Sequence, residues 1–337
     1  MSKQHRILLG HGSGGKLSHQ LLSELFLKYF KNKELAQLND GARLDFSGSS
    51  LVISTDSYVV DPIFFPGGDI GKLAVCGTVN DVAMMGAKPQ YLSIGFIIEE
   101  GFPFYDLEKI LNSIAVAAAE ADVQIVTGDT KVVPQGAADK IFINTTGIGL
   151  LMPDVKLSGH HARVGDRIII NGQIADHGIT VMAKREGLEL DVALETDSAP
   201  LNHLVIDVLK RVPGVHVMRD PTRGGVATTL NEIAGQSAVG IKIDEESLPI
   251  SAQVKAVCEI LGLDPLYIAN EGKVLIIVDP EQVDKTLRVL RENEYGKDAC
   301  VIGEVVEAPQ GKVYLETMIG GQRMIDMLAG EQLPRIC

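Results

Sequence analysis

Apolar residues recur at helical spacing in two parts of the first half of the chain. Leucine and aromatic residues from Leu17 to Tyr29, and apolar residues from Leu107 to Ala118, predict two amphipathic helices. Residues 71–86 predict a third helix, and its many small side chains indicate close packing and burial. Uninterrupted apolar runs predict strands at Leu51–Ser54, Tyr91–Ile98, Val123–Val126 and Ile141–Leu151.

A second series of strands and helices begins at Arg167, after a linker at residues 152–165. Strands are predicted at Arg167–Ile170, Val215–Met218, Ile241–Ile243, Val274–Val278 and Val301–Val306. Helices are predicted after Asp176-His177-Gly178, at Leu201–Leu209, after Gly225, and around residues 251–261 and 281–292. Because strands follow one another late in the chain, this order favours an α+β architecture over a doubly wound sheet.

Composition limits the partners and the location of the protein. The 337 residues are 45% hydrophobic and 22% charged, as in a folded globular protein long enough for two domains. A net charge of −13 argues against nucleic acid as a partner, although metal ions can bridge an acidic protein to ATP. We find neither a signal segment nor an apolar run of about 18 residues, which predicts no membrane association. The four cysteines form no CxxC pair and indicate a reducing cytoplasm.

A glycine-rich loop lies between the first apolar run and the first predicted helix. Residues Gly10–Lys16 match the start of a P-loop, but Leu17 stands where a P-loop needs Ser or Thr to hold Mg²⁺. Glycine amides and a helix N-terminus still favour phosphate binding. We therefore predict a flap that covers phosphates, with a flexible glycine turn as the alternative. Its residues are Gly12, Ser13, Gly14, Gly15 and Lys16.

Three aspartates are candidates for a Mg²⁺ site. Asp56 and Asp129 each follow the end of a predicted apolar strand, and Asp81 lies in the small-residue helix, where an unpaired carboxylate would be costly. Carboxylate oxygens held on rigid elements suit Mg²⁺, a hard cation that keeps part of its water. A turn or N-cap role is the alternative for each aspartate alone. Taken together, they predict a site for a metal and a nucleotide.

The last five residues, Leu333–Cys337, predict an extended arm that carries a thiol. Pro334 cannot continue a helix or a central strand. An extended chain from Leu328 to Cys337 spans roughly 30 Å, enough to reach a cleft of the same protein. We expect Arg335 to favour the reactive thiolate of Cys337, whereas the α-carboxylate opposes it. A frayed terminus is the alternative.

Motifs spread over the whole chain resemble the HypE family of hydrogenase maturation proteins. They are HGSGGK, STDS, PGGDIGKLAVCGTVNDVAMMGA, VTGDTKVV, DHG, RDPTRGG, ANEGK, IGEVVE and a terminal PRIC. Several belong to the wider ATP-using superfamily of aminoimidazole ribonucleotide synthetase, selenophosphate synthetase and thiamine-monophosphate kinase. The terminal PRIC singles out HypE.

The resemblance implies an activity, cofactors and partners. A HypE-like protein is a carbamoyl dehydratase: HypF places a carboxamide on its C-terminal thiol, and the protein uses ATP to convert this group to a thiocyanate. The cyano group then passes to the HypC–HypD complex for the iron of a [NiFe] hydrogenase. The implied cofactors are ATP and Mg²⁺, and the implied state is a cytoplasmic homodimer.

The resemblance also implies a two-domain α+β fold like that of aminoimidazole ribonucleotide synthetase. The N-terminal domains would pair their sheets across the dimer, and a flexible C-terminal tail would follow. We expect the flap and first helix at residues 1–38 and the ATP/Mg-binding and dimerisation domain at 39–155. An α+β domain is expected at 165–308, with further strands and the tail at 309–337.

Roles for individual residues follow from the same resemblance. Asp40 joins Asp56, Asp81 and Asp129 as a metal ligand. Beyond the flap, the expected nucleotide-binding residues are Thr127, Gly128, Thr130 and Asp220. Cys337 is the acceptor, while Glu271 and Lys131 are candidates, with exchangeable roles, for proton removal and oxygen activation at the carboxamide. His177 is a further candidate base, with helix capping or packing as its alternative.

Three other functions remain as alternatives at this point. A small-molecule kinase or synthetase of the same superfamily would not need the thiol of Cys337. A non-catalytic scaffold for hydrogenase assembly would not need the aspartates. A P-loop NTPase is disfavoured by Leu17.

Overall fold

The computed structural model describes residues 6–7, 21–32, 50–188, 194–327 and 335–337. Of the first predicted helix it describes a π-helical segment, Leu21–Phe26, that continues as the α-helical turn Leu27–Tyr29. Several predicted site residues lie outside the described residues, namely Gly12, Ser13, Gly14, Gly15, Lys16 and Asp40.

A four-stranded mixed sheet is the centre of the first domain. Its strands are β1 (Leu51–Tyr58), β4 (Ala87–Glu99), β5 (Gln124–Val133) and β6 (Ile141–Leu151). They lie in the order β1-β6-β4-β5, in which β4 and β5 are parallel and the other neighbours antiparallel. A short hairpin of β2 (Phe64–Phe65) and β3 (Gly68–Asp69) follows β1 and leads into the first long helix.

Helix α1 (Ile70–Met84) packs against β1, β4 and β6, and α2 (Phe104–Glu120) packs against α1. Asp69 begins α1 by accepting hydrogen bonds from two backbone amides of its first turn. The small residues of α1 allow this close approach. A Cβ on Gly71 would lie 2.6 Å from the Ile110 carbonyl oxygen, and one on Gly77 would lie 2.4 Å from the Tyr58 hydroxyl. The predicted buried helix is therefore confirmed.

The opposite face of this sheet exposes apolar side chains. Ile53 is 63% exposed, and Leu51 and Ile97 are 45% exposed. Ile53 pairs across the sheet with Ile148, and Ile97 pairs with Phe142, so these residues share one surface. We call Leu51, Ile53, Ile97, Phe142 and Ile148 the open sheet face.

A seven-stranded sheet forms the second domain. Its strands are β7 (Arg167–Ile170), β8 (Val215–Arg219), β9 (Gly240–Asp244), β10 (Leu275–Val278), β11 (Cys300–Val306), β12 (Lys312–Glu316) and β13 (Gln322–Ile325). They lie in the order β13-β12-β9-β11-β7-β10-β8. Only β9 and β12 are parallel among the described neighbours. The predicted α+β architecture is thus confirmed, and the strands after residue 308 belong to this same sheet.

Helices lie on both faces of the second sheet. They are α3 (Asp176–Arg185), α4 (Asn202–Arg211), α5 (Gly225–Ser237), α6 (Ala252–Leu261) and α7 (Val283–Arg291). Strand β7 alternates between two apolar cores: Ile168 and Ile170 pack in the core that includes α5, and Ile169 in the core that includes α4 and α7. No helix in the described part of the chain has the length and apolarity to cross a membrane.

The placement predicted for Asp56 and Asp129, just past a strand end, is wrong. Asp56 lies within β1 opposite Thr145, and Asp129 lies within β5 beside Gly95. The β-branched and hydroxyl residues around each aspartate keep the chain extended, so each strand continues beyond its apolar run.

Candidate active site

The last three residues are docked on the first domain. The amide of Val59 donates to an α-carboxylate oxygen of Cys337 at 3.1 Å, and that of Asp61 donates to the Arg335 carbonyl oxygen at 3.2 Å. The side chain of Ile336 is 3% exposed and belongs to the core of the first domain. We call residues 335–337 the docked tail; Cys337 itself is half-buried and packs against this core.

Two arginines hold the docked tail. The guanidinium of Arg185 donates to the carbonyl oxygens of Asp61, at 2.8 Å, and Arg335, at 2.7 Å. Arg335 itself donates to the Val59 carbonyl oxygen at 2.9 Å and pairs with Asp139. The tail is therefore fixed mainly through its backbone, whatever group the sulfur carries.

The docked thiol is held in its neutral form. Burial raises the pKa of the Cys337 thiol to about 12, and the nearby carboxyl group of Glu271 acts in the same direction, against Arg223. The expectation that Arg335 favours the thiolate is therefore wrong for the docked tail, because its guanidinium is directed to Asp139 and Val59 instead.

Glu271 lies close enough to Cys337 to raise the pKa of its thiol. It is 3% exposed, and its Oε1 has no hydrogen-bond partner among the described residues. Burial, followed by the charge of Asp197, raises its pKa well above the ordinary range. Burial therefore favours the protonated form of Glu271.

The loop that carries Glu271 is fixed by polar contacts on both sides. Its amide donates to Asp197 at 3.1 Å, and its carbonyl oxygen accepts from Asn80 on α1 at 3.3 Å. Lys273 pairs with Asp197 at 3.0 Å, with both side chains largely buried. Glycine is required at position 272, because a Cβ there would lie 1.8 Å from the Asp197 carbonyl oxygen.

Three aspartates share one electrostatic environment beside Glu271. Ser54 donates to Asp81 at 2.6 Å, while burial and the charge of Asp56 raise the pKa of Asp81. Burial, with Asp81 and Asp56, also raises the pKa of Asp220 to about 7. The buried Oδ2 of Asp220 has no hydrogen-bond partner within the described ranges. The charges of Arg219 and Arg223 oppose this rise at Asp81, and that of Arg219 opposes it at Asp220, but burial outweighs them.

The residues predicted on β5 lie apart from this cluster within one chain. Asp129 is 68% exposed and pairs with the exposed Lys131 at 2.8 Å, which lowers the pKa of Asp129. β5 is an edge strand, and it carries Thr127, Gly128 and Thr130 as well. Packing alone explains the glycine at position 128, since a Cβ there would lie 2.3 Å from the Ile94 carbonyl oxygen.

Sequence patterns did not reveal Asp197, Lys273 or Arg185. Asp197 lies in an irregular segment, which has no periodic pattern. Lys273 comes shortly before a buried strand, and a charged residue at that position indicates only where the strand begins. Arg185 ends an amphipathic helix, as basic residues commonly do. The signal available for Lys273 was its place beside Glu271 in the ANEGK motif.

Both domains match known protein families. Residues 38–151 match the AIR synthase related protein N-terminal domain, and residues 163–316 match the corresponding C-terminal domain. Carbamoyl dehydratase HypE from Cupriavidus necator is 52% identical over 336 residues, which cover 99% of this chain and 96% of that protein.

Solved structures show the same relationship. A crystal structure of hydrogenase maturation protein HypE in complex with ATP is 54% identical, with a TM-score of 0.95 over 98% of this chain and 99% of that one. A chain of a HypE–HypF complex is 49% identical, with a TM-score of 0.81 over 91% of this chain and 99% of that one.

Proposed function

Since the chain belongs to the HypE family of carbamoyl dehydratases, which act in hydrogenase maturation, we propose that it dehydrates a carboxamide carried on the sulfur of its own Cys337. The single observation that carries this proposal is the docking of the Cys337 tail on the first domain, near the buried carboxyl group of Glu271. Loss of the amide oxygen and both nitrogen protons converts S–CO–NH₂ to S–C≡N. This thiocyanate would supply the cyano group for the iron of the hydrogenase.

ATP is the cofactor we propose, as in the related HypE–ATP complex. When bound with Mg²⁺, it supplies the phosphoryl group that makes the amide oxygen a good leaving group. The orphaned Oδ2 of Asp220 and the raised pKa of Asp81 indicate a place for a cation. Within the described residues, no three acidic, His or Cys side chains are arranged to hold a metal by themselves. This agrees with Mg²⁺ sites, in which phosphates and water complete the coordination.

Glu271 is the group that we assign to proton transfer. Its carboxyl group lies near the sulfur that carries the carboxamide, and burial favours its protonated form, so it is suited to exchange a proton with that group. The half-buried position of Cys337 limits the access of water to the reacting carbon. Lys131 would have to reach the carboxamide from outside this pocket, since it is exposed on the edge strand β5.

The tail must leave its pocket to receive the carboxamide. A neutral buried thiol is a poor nucleophile, because the thiolate is the reactive form. We propose that HypF modifies the undocked tail and that the HypC–HypD complex receives the cyano group. All four cysteines are unpaired, which suits the cytoplasmic location that we propose.

Mass analysis of the C-terminal peptide tests this function. After incubation with HypF, carbamoyl phosphate and ATP, the wild-type peptide should carry a cyano group, and without ATP it should retain the carboxamide. Cys337→Ala should form neither product yet keep its ATP affinity, and Cys300→Ala should behave as the wild type. Glu271→Gln should accept the carboxamide but dehydrate it about 100-fold more slowly. A cyano adduct on another cysteine of the Cys337→Ala protein would refute the proposal.

A further inference from the structure

His177 is a buried residue that the proposed chemistry does not use. It is the second residue of α3 and is fully buried. Its ring packs edge-on against Phe65 of β2, with 5.6 Å between the ring centres and 85° between the ring planes. Both ring nitrogens have partners, so the ring orientation is fixed.

The hydrogen bonds of His177 define its tautomer. Nε2 lies 2.9 Å from the carbonyl oxygen of Ile336, and Nδ1 lies 2.7 Å from the hydroxyl of Thr196. Because a carbonyl oxygen only accepts, Nε2 must carry the proton and donate to the docked tail. Nδ1 can then accept from Thr196, whose oxygen also accepts from the Ser198 amide at 3.1 Å. Burial lowers the pKa of His177, which agrees with a neutral ring.

The start of α3 is also bonded to the loop that carries Glu271. The Gly178 amide donates to the Ala269 carbonyl oxygen at 3.1 Å, and the Ala175 amide donates to the side chain of Asn270 at 2.7 Å. A Cβ on Gly178 would lie 2.5 Å from Ile268, so helix and loop are in direct contact. One helical turn therefore contacts both the tail and the loop of the acidic residue.

We propose that His177 is a positioning residue for this reaction: its Nε2–H holds the Ile336 carbonyl oxygen and so keeps the Cys337 sulfur beside Glu271. The effect of His177 on dehydration rests on the proposed function. Its effect on docking of the tail does not, because docking can be measured without any turnover.

Thiol accessibility measures docking directly. Alkylation of Cys337 by iodoacetamide in the full-length protein, followed by mass analysis of the C-terminal peptide, should be about tenfold faster in His177→Ala, the effect expected from losing one buried hydrogen bond. His177→Gln, whose amide nitrogen can replace Nε2–H, should restore slow alkylation. His203→Ala is the matched control, since the ring of His203 also meets a backbone carbonyl oxygen, that of Glu120, but lies away from the tail. Equal alkylation rates in wild type and His177→Ala would overturn the proposal.

The two steps of the reaction should respond differently. In His177→Ala, carbamoylation of Cys337 by HypF should not slow, whereas ATP-dependent dehydration of the carboxamide should slow about tenfold, and His177→Gln should recover most of this loss. A misfolded variant would lose both steps together with ATP binding. Unchanged dehydration in His177→Ala would refute the positioning role, while absence of thiocyanate in the wild type would refute the proposed function alone.

Discussion

Glu271 and Cys337 show how single residues acquire their properties from different parts of the fold. Glu271 owes its raised pKa to burial and to the charge of Asp197, whose Oδ1 accepts a hydrogen bond from the Glu271 amide. Cys337 owes its raised pKa to the pocket that the docked tail enters. Neither shift follows from the neighbouring residues in sequence, because both arise from desolvation by distant segments.

Docking of the tail should depend on pH through Cys337. Burial raises its thiol pKa from 9.0 to about 12, so the docked state favours the protonated thiol. Docking should therefore be constant below pH of about 9 and weaken up to about tenfold per pH unit above it, until the docked thiol itself ionises. Hydrogen-exchange protection of the Val59 and Asp61 amides, which bond the tail, reports docking. Cys337→Ser should lack this dependence, and an identical pH profile in both proteins would contradict the prediction.

Asp81→Asn should weaken Mg²⁺-dependent ATP binding by at least about tenfold while the protein remains folded. The substitution removes a charged oxygen ligand but keeps the shape of the side chain and its contact with Ser54. Calorimetric titration with ATP and Mg²⁺ measures the effect. Asp122→Asn, on the surface, is the control. Wild-type affinity in Asp81→Asn would remove this residue from the site.

Helix α1 illustrates how small residues set the distance between elements. Its glycines permit contact with β1 and α2, and its residues Asn80 and Asp81 then meet the Glu271 loop and β1 respectively. The same helix therefore joins the core of the first domain to the candidate active site.

Gly77→Ala should lower the free energy of unfolding by about 1–3 kcal/mol, because the new methyl group would overlap the Tyr58 hydroxyl. The matched control is Gly235→Ala in α5, where a Cβ meets no atom within 4 Å. That control should raise the free energy of unfolding by about 0.5–1 kcal/mol. Urea denaturation followed by circular dichroism measures both free energies of unfolding. Equal effects of the two substitutions would show that the close contact with Tyr58 does not destabilise Gly77→Ala.

At the scale of the whole molecule, the open sheet face exposes apolar side chains, whereas helix α1 covers the other face of the same sheet. Ile53 is 63% exposed, and the other four residues extend this apolar patch across three strands, as at surfaces that bind another protein. We propose that a second copy of the chain covers this face, as the family resemblance implies for the N-terminal domains.

Ile53→Asp should convert the proposed homodimer into monomers at micromolar concentration, because a charge would be buried in an apolar interface. Light scattering with and without ATP measures the mass. Ile260→Asp, at a position that is 73% exposed in the second domain, should leave the dimer intact. A monomeric wild type across this concentration range would contradict the proposal.

Local periodicity by itself determined most helices and strands, the small-residue packing of α1 and the α+β order of elements, because these depend on neighbours a few residues apart. The motifs also assigned Glu271 and Cys337 to one candidate site, and this assignment stays a prediction. Only the tertiary structure decided that Asp197, Lys273, Arg185 and His177 support that site, that Asp129 and Lys131 lie apart from it in one chain, and that the thiol is neutral when docked. Those outcomes depend on contacts between residues far apart in sequence, and burial at such contacts, rather than local pattern, sets the charge state of each group.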